Sequence, residues 1–265
     1  MSGWDDPETA AYYEAFCRRH SRYNRANREL IRHARIALGM RVLDLGAGTG
    51  RTAEHALRCL GSDGRIVCVE PSAAMREAGM RRLADSRVAW SAAIPNAAGT
   101  FDVILCGASI WQMEPLAPTF PVLAGLLKPG GTLCFNIPAL YLLEPDEPGG
   151  GSDPLLLTLP ERLFAGSDRA LACQPMEPPT AAALSRRCIE EWLDAAGLRG
   201  ESWSFRVRLT QDAYADWLKI PALTDRMLGG LTPQERARRI DAALEAADRS
   251  SWKWERWKGW TAWKG

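Results

Sequence analysis

From residue 40 onward, short apolar runs alternate with segments whose apolar residues recur at helical spacing. The strand-like runs are MRVLDL (40–45), RIVCVE (65–70), RVAWSA (87–92), FDVILC (101–106) and GTLCFNI (131–137). Helical patterns at 51–60, 72–84 and 116–127 separate them. Strands that are apolar on both faces and alternate with helices predict a parallel sheet covered by helices on both sides.

Segments of a different character flank this alternation. Apolar residues at three-, four- or seven-residue steps predict one N-terminal helix over 8–37. Residues 144–179 are dense in Pro and Gly, which favours a loop. A helix is predicted from 181 to 196, and Thr210 and Thr232 have the chemistry of N-caps for two more.

Two further strands are predicted near the C-terminus. SWSFRVRL at 202–209 alternates apolar and polar residues, as a half-buried strand does. The tail WKWERWKGWTAWKG at 252–265 combines Trp with Lys, which also suits a membrane interface or an aromatic platform. We favour a final strand, in which residues 260–263 pair beside 202–209 and the Trp residues pack.

The predicted fold class is α/β: a Rossmann-like, doubly wound, seven-stranded and mostly parallel sheet with an N-terminal helix and a small helical cap. The chain has 265 residues, 46 % of them hydrophobic, which is enough core for one such domain. We expect a single domain over 1–265. The helical lid is expected at 1–37, and cap insertions are expected at 138–180 and 210–250.

Charge favours a small-molecule substrate. A net charge of +1 gives no overall field that would hold nucleic acid or an anionic membrane. One face of the N-terminal helix carries arginines at helical spacing: Arg18, Arg22, Arg25, Arg28, Arg32 and Arg35. We interpret this arginine stripe as a solvated helix face and keep RNA binding as a minor alternative. We expect no nucleic acid or membrane partner, and a monomer or homodimer.

The cysteines and the N-terminus favour a cytoplasmic location. The seven cysteines are an odd number and none has the C-x-x-C spacing of a zinc or redox site, so we expect reduced thiols and no metal. The start of the chain, MSGWDDPETA, is acidic and has no apolar core of a signal peptide. No apolar run approaches the roughly 18 residues of a membrane helix.

The turn after the first strand carries the most specific chemistry. RVLDLGAGTGR at 41–51 places three glycines, spaced two apart, between a strand and a helix. Backbone N–H groups at such a helix N-terminus stabilise an anionic or strongly polar group. Glu70 ends the second strand, where a carboxylate accepts two hydrogen bonds from ribose hydroxyls. Because the third glycine is Gly50 and Arg51 follows, the dinucleotide pattern G-x-G-x-x-G is not met.

Asp44 completes the pattern D-x-G-x-G-x-G, which resembles motif I of the class I S-adenosylmethionine-dependent methyltransferases. VCVEPS resembles the acidic end of that family's second strand, IPNAAGTFDVIL its fourth strand, and LLKPGGTLCF its turn into strand five. The resemblance spans about 40–135, continues weakly to the end, and is to the small-molecule, UbiE-like type. It implies S-adenosylmethionine as cofactor and S-adenosylhomocysteine as product.

The resemblance also implies roles for individual residues. The glycines let the backbone approach the methionine part of the cofactor, Asp44 supports that loop or the amino group, and Glu70 holds the ribose. The implied cofactor-binding residues are Asp44, Gly46, Ala47, Gly48, Gly50, Glu70, Pro71, Trp90, Ser91, Cys106 and Trp111.

Two positions depart from the family's pattern. At the position of Trp90, many relatives have an acidic residue that bonds the adenine amino group. In this chain, Trp90 either lines the adenine pocket or packs in the core. Relatives often have a His at about the place of Trp111. Asp102 starts strand four, far from the reacting end, and is expected to be structural. No dedicated general base is therefore expected; the candidates to orient the acceptor or accept a proton are Tyr141, Glu114 and Gln112.

Acceptor recognition is expected around the carboxyl ends of the strands. The aromatic candidates for substrate binding are Tyr12, Tyr13, Phe16, Tyr23, Trp111, Tyr141, Tyr214 and Trp217. They imply an apolar or planar acceptor, unless they only pack the cap. We expect methyl transfer to a small molecule of secondary metabolism by proximity and orientation. The alternatives are a cofactor-binding cyclase or structural partner of the same fold, and an RNA methyltransferase.

Overall fold

The computed structural model describes residues 3–113, 115–142, 184–223, 231–245 and 252–265, and these contain one seven-stranded sheet. Its strands are β1 (Arg41–Leu45), β2 (Arg65–Val69), β3 (Val88–Ser91), β4 (Phe101–Gly107), β5 (Leu127–Pro138), β6 (Leu198–Thr210) and β7 (Trp252–Lys264). They lie in the order β3-β2-β1-β4-β5-β7-β6.

The sheet is mostly parallel, as the sequence predicts. Strands β1 to β5 pair in parallel, and β7 pairs antiparallel with β5. Strand order reverses between β1 and β4, which are neighbours, with Asp44 opposite Leu105. Ligands of open α/β sheets bind at such a switch point, beyond the carboxyl ends of the strands.

Eight helices flank or follow these strands within the described ranges. They are α1 (Pro7–Arg19), α2 (Arg22–Ala34), α3 (Arg51–Leu60), α4 (Ala73–Arg82), α5 (Thr119–Leu126), α6 (Arg186–Ala195), α7 (Gln211–Leu218) and α8 (Pro233–Glu245). Thr210 and Thr232 accept hydrogen bonds from the N–H groups of Ala213 and Glu235, which confirms both predicted N-caps. Gly197 follows α6 with a φ of 72°.

The prediction of one helix over 8–37 is wrong. Two helices occupy this range, because His20 is extended, with φ −121° and ψ 141°, and its N–H caps the carbonyl of Phe16. The His20 ring lies 2.8 Å from the Asp216 carboxylate. This side-chain contact favours the break over a continued helix. The spacing of apolar residues in the sequence does not indicate such a contact.

The described residues form two compact units. The first, here called the sheet unit, contains residues 23–113, 115–142, 184–206 and 256–265. The second, here called the helical unit, contains 3–22, 207–223, 231–245 and 252–255. The expected lid therefore divides after residue 22, and the expectation of a single domain stays a prediction.

In the sheet unit, the tail forms a strand, as predicted. Thr261 pairs with Cys134 of β5 in the antiparallel register, and β6 is the next strand outward. Trp260 is buried and stacks on Phe135, with ring centroids 5.2 Å apart. Aromatic burial of this kind explains Trp257 and Trp260, whereas Trp252, Trp254 and Trp263 are exposed.

In the helical unit, α7 packs against both α1 and α8. Arg22 is buried and donates to both carboxylate oxygens of Glu255, at 2.7 and 2.5 Å. Its guanidinium also lies 5.1 Å from the centre of the Trp217 ring. Arg22 thus belongs to the packing of this unit, which corrects the interpretation of the whole arginine stripe as solvated.

The rest of the described stripe does face solvent. Arg25 and Arg32 are exposed and both pair with Glu29, which lies on the same helix. Arg18, Arg28 and Arg35 are also exposed. Pairing within one helix is typical of a solvated face.

We predict that Arg22→Met destabilises the protein by about 3–5 kcal/mol, because it leaves the buried Glu255 carboxylate without its bidentate partner. The double variant Arg22→Met/Glu255→Leu removes both charges and recovers most of that loss. Urea unfolding at pH 7 measures both values. A double variant that is less stable than the single one would contradict the assignment.

Candidate functional site

The loop between β1 and α3 has a conformation that requires glycine. Gly46, Gly48 and Gly50 have φ values of 66°, 54° and 77°, which side chains disfavour. A Cβ on Gly46 would lie 2.5 Å from the Ser109 Oγ, so space also forbids a side chain there. Gly50 is the N-cap of α3, so the loop delivers its backbone to a helix N-terminus that attracts an anionic or polar group.

Glu70, directly after β2, holds this loop in place. Its Oε2 accepts from the Gly48 N–H at 2.7 Å, and its Oε1 accepts from the Ser72 N–H at 2.9 Å. The residue is buried, with 8 % exposure. A carboxylate has about four acceptor positions, so these two bonds do not by themselves fill it. Glu70 therefore fixes the loop, and its contact with hydroxyl groups of a ligand stays a prediction.

Asp44 lies beneath the same loop and is fully buried. Its Oδ2 accepts from the Ala53 N–H of α3 at 3.0 Å, while Oδ1 has no partner in the described part of the chain. Burial raises the pKa of Asp44 to about 7; the Ala53 hydrogen bond opposes this rise and the Glu70 charge adds to it. A buried carboxylate oxygen without a donor fits a ligand that carries a cationic or N–H group here.

Trp90 packs below the loop. A Cβ on Gly50 would lie 3.0 Å from its Cη2, and a Cβ on Gly79 of α4 would overlap the ring. Trp90 belongs to the apolar cluster between sheet and helices, so its position favours packing over an adenine contact. Ser91 accepts the Glu70 N–H with its carbonyl at 2.9 Å, and its cofactor role, like that of Pro71, stays a prediction.

The carboxyl end of β4 meets the end of β1 through Ser109. The Ser109 Oγ donates to the Leu45 carbonyl at 3.2 Å and lies 3.1 Å from the Cys106 Sγ. Burial raises the pKa of Cys106 to about 12, which keeps this thiol protonated and unreactive. Sequence reasoning named Cys106 and missed Ser109, whose carbonyl contact follows from strand order rather than from any local pattern.

Asn136 is a second residue that the sequence analysis missed. It is fully buried near the end of β5; its Oδ1 accepts from the Ala108 N–H at 2.9 Å, and its Nδ2 donates to the Ala26 carbonyl at 3.0 Å. Ala108 has a φ of 54°, a strained value for a residue with a Cβ. Asn136 therefore holds the turn after β4 in a conformation that Ala108 alone disfavours. An amide in an otherwise apolar strand was the available signal.

The structure brings together two of the predicted aromatic residues. Trp111, after β4, and Tyr141, after β5, are both buried, and their rings stack 4.6 Å apart at 21°. Gln112, beside Trp111, is exposed. Glu114 lies outside the described residues. The stacked pair lies beyond the carboxyl ends of adjacent strands.

The remaining substrate candidates fall in both units. Tyr23 packs edge-on against Trp257 in the sheet unit, 6.3 Å between centroids. In the helical unit, Phe16 and Trp217 are buried and Tyr214 stacks on Trp217. Tyr12 and Tyr13 on α1 are partly exposed. Their roles toward a substrate stay predictions, and packing accounts for the buried members.

The histidines and Asp102 have structural partners. His20 contacts Asp216, His55 contacts Asn24 at 2.8 Å, and His33 stacks on Trp203. Asp102 accepts from the Arg41 N–H and from Lys128, at the opposite edge of the sheet from the glycine loop. Asp102 is therefore structural, as expected from its place at the start of β4.

Two other kinds of feature are absent from the described residues. Within them, no group of three or more His, Cys, Asp or Glu side chains is arranged to hold a metal ion. Among the helices described, none combines the length and apolar character needed to cross a membrane.

The region that contains the glycine loop is similar to known proteins. Residues 42–131 match the family model described as "Methyltransferase domain". The chain is 30 % identical over 125 residues to the ubiquinone/menaquinone biosynthesis C-methyltransferase UbiE of Coxiella burnetii, an alignment that covers 43 % of this chain and 50 % of UbiE. The chain thus spans about half the length of the curated relatives it matches.

Solved structures share the fold at low identity. The YcgJ protein of Bacillus subtilis superposes with a TM-score of 0.58 and 16 % identity, over 91 % of this chain and 98 % of YcgJ. The [4+2]-cyclase SpnF superposes with a TM-score of 0.56 and 19 % identity, over 91 % of this chain and 80 % of SpnF. At these identities the likeness shows the fold, which both proteins share with this chain.

We predict that Ala108→Gly stabilises the protein by about 0.5–1 kcal/mol, because glycine adopts positive φ without strain. The matched control Ala78→Gly, in the middle of α4, should instead cost about 1 kcal/mol. Asn136→Ala should cost about 1–3 kcal/mol by leaving the Ala108 N–H unpaired. Denaturant unfolding reports all three, and a loss of stability in Ala108→Gly would refute the strain at this turn.

Proposed function

Because residues 42–131 match the family model described as "Methyltransferase domain", we propose that this protein transfers the methyl group of S-adenosylmethionine to a small-molecule acceptor. The observation that carries the proposal is the corner at which Glu70 bonds the N–H of Gly48 above the buried Asp44. A polar loop at a helix N-terminus and two carboxylates suit a ligand with hydroxyl and ammonium groups.

The described residues fit this cofactor. The unpartnered Asp44 Oδ1 suits an ammonium group, and Glu70 suits ribose hydroxyls. The cofactor, when bound, supplies a methyl group already activated on a sulfonium. The remaining task of the chain is to bind, align and exclude water.

A carbon acceptor in a planar molecule agrees best with the surroundings. The curated relative is named a C-methyltransferase, and an electron-rich ring carbon or enol needs little acid or base chemistry. Trp111 and Tyr141 are candidates to contact such a molecule, since both follow the carboxyl ends of adjacent strands. Tyr141 and Gln112 are the described candidates to orient it, and Glu114 is a further candidate outside the described residues. We place the reaction in secondary metabolism.

A second candidate function is binding of the cofactor without methyl transfer. We keep this second candidate because a protein of the same fold is named as a [4+2]-cyclase. The structural contacts of the three histidines also favour it. RNA methylation is less favoured, since Arg22 of the arginine stripe is buried against Glu255 and Arg25 and Arg32 pair with Glu29 on their own helix.

We further propose a cytoplasmic protein that acts as a monomer or homodimer on a free small molecule. The net charge of +1 supports this, because it provides no general attraction to nucleic acid or anionic membranes.

Incubation with S-adenosylmethionine and a panel of phenols, enolic 1,3-diketones and amines separates the candidates. Methyl transfer adds one CH2 unit to the acceptor mass and releases an equal amount of S-adenosylhomocysteine. A cyclase returns the cofactor unchanged and gives an isomer of its substrate. Mass spectrometry reads both outcomes, and a salt-independent reaction that tRNA does not inhibit excludes the RNA candidate.

We expect Glu70→Ala to weaken S-adenosylhomocysteine binding by about 1.5–3 kcal/mol, since it removes charge-assisted bonds to the ribose and frees the Gly48 N–H. Glu70→Gln keeps the shape and should lose less. The exposed Glu77, on α4, provides the control Glu77→Ala, which should bind like wild type. Calorimetry measures these affinities, and NAD should not bind in the same assay. Unchanged S-adenosylhomocysteine binding by folded Glu70→Ala would show that Glu70 does not contact the ribose.

We expect S-adenosylhomocysteine affinity to rise between pH 5.5 and 7 and then level off. The free Asp44 carboxyl has a pKa of about 7, and a bound ammonium group favours its ionised form, so binding at lower pH must first expel a proton. In the free protein the same raised pKa makes stability fall as pH rises from about 4 to 7. Asp44→Asn should bind more weakly and show neither trend. A flat affinity profile in wild type would contradict the placement of the ammonium.

A further inference from the structure

The Arg82 side chain joins the last turn of α4 to the glycine loop. Its Nε donates to the carbonyl of Thr49 at 2.9 Å, and its Nη1 donates to the Glu54 carboxylate at 2.6 Å. Thr49 lies within the loop and is fully buried, and Glu54 lies in the first turn of α3. All three residues belong to the sheet unit. One guanidinium therefore contacts both the loop and the helix that follows it.

The peptide unit between Thr49 and Gly50 is held at both of its polar atoms. Its carbonyl accepts from Arg82, and its N–H, on Gly50, donates to the Ala47 carbonyl at 2.7 Å. Because a peptide unit is planar, these two bonds fix its orientation. Gly50 is the N-cap of α3 and has a φ of 77°, so this orientation also sets how the helix begins. The bond from Arg82 is charge-assisted and therefore stronger than a bond between neutral groups.

Glu54 holds the Arg82 guanidinium beside the loop. Its carboxylate accepts from Arg82 through Oε2 and from Arg58, one turn along α3, through Oε1. Burial acts to raise the pKa of Glu54, but the hydrogen bond and the charge of Arg82 lower it. Glu54 is therefore ionised at neutral pH and pairs with Arg82 there.

We propose that Arg82 is a positioning residue for the cofactor, which acts through the Thr49 carbonyl by holding the glycine loop in its binding conformation. The affinity of a protein for a ligand falls in proportion to the fraction of molecules whose site already has that conformation. Glycines gain access to many other conformations when a fixed peptide unit is released, so the loop depends on such a bond. This inference rests on the proposed function, which identifies the ligand of the loop as S-adenosylmethionine.

Arg87 provides a matched control at the other end of α3. It pairs with Asp85 at 2.7 Å and donates to the Gly61 carbonyl at 2.8 Å, so it makes the same kinds of contact as Arg82. The two side chains are similarly exposed, at 26 % for Arg87 and 20 % for Arg82. Arg87→Met therefore removes equivalent bonds from α3 without touching the glycine loop. Arg82→Lys is a milder variant, because it keeps the charge and loses the planar fork of donors.

Calorimetric titration with S-adenosylhomocysteine tests the effect on binding. Arg82→Met should raise the dissociation constant about 5- to 20-fold, because the binding conformation falls to between about a fifth and a twentieth of the free protein. Arg82→Lys should raise it less, by about 2- to 5-fold. Arg87→Met should bind like wild type, and urea unfolding verifies that each variant is folded. Wild-type affinity in both Arg82 variants, or an equal loss in Arg87→Met, would overturn the proposal.

Amide hydrogen exchange of the ligand-free protein separates this proposal from the proposed function. The Gly50 N–H, bonded to the Ala47 carbonyl, should exchange at least about 5-fold faster in Arg82→Met than in wild type or Arg87→Met. If wild type fails to bind S-adenosylhomocysteine, the proposed function falls, while faster Gly50 exchange in Arg82→Met still supports the hold of Arg82 on the loop. If wild type binds S-adenosylhomocysteine and Gly50 exchange is unchanged in Arg82→Met, only the role of Arg82 falls.

Discussion

The hydrogen bond between the Glu70 carboxylate and the Gly48 N–H is the contact on which the site depends. It joins the end of one strand to the loop after its neighbour, and the second oxygen of Glu70 fixes the start of the following helix through Ser72. The glycines can then hold positive φ without side chains that would collide with Ser109 or Trp90. Burial raises the pKa of Asp44, and the charge of the same Glu70 carboxylate adds to this rise. One side chain thus sets the shape of the corner and contributes to its charge.

A second set of contacts supports that corner from the other side of the switch point. Ser109 joins the ends of β1 and β4, and Asn136 joins the strained Ala108 to α2. The Asn136 bond to Ala26 is buried and the other two bonds are partly buried, and a lost partner is costly at such sites. The strain at Ala108 is thereby held by residues that need not touch any ligand themselves. The turn that carries Trp111 follows Ala108 and Ser109 directly, so the position of this turn depends on the contacts of Ser109 and Asn136.

Sequence reasoning predicted the parts of this fold that repeat. Alternating apolar runs and helical periods were enough for the parallel sheet, and the glycine spacing with Asp44 and Glu70 was enough for the corner. It failed where one long-range side-chain contact decides the outcome. The break at His20 depends on Asp216, and the burial of Arg22 depends on Glu255, nearly the full chain length away. Ser109 and Asn136 were missed for the same reason. The spacing of apolar residues indicates which face of a helix or strand is buried, but it does not indicate which polar atoms contact one another.

The central claim is that the Glu70 corner binds the cofactor, and the most direct measurement follows backbone amide resonances during titration with S-adenosylhomocysteine. The account predicts saturable shifts at the N–H groups of Gly48 and Ser72, both bonded to Glu70. The N–H of Arg41, bonded to Asp102 at the opposite edge of the sheet, should not shift. Unchanged Gly48 and Ser72 resonances at saturating ligand, or shifts produced there only by pyrophosphate or NAD, would contradict it.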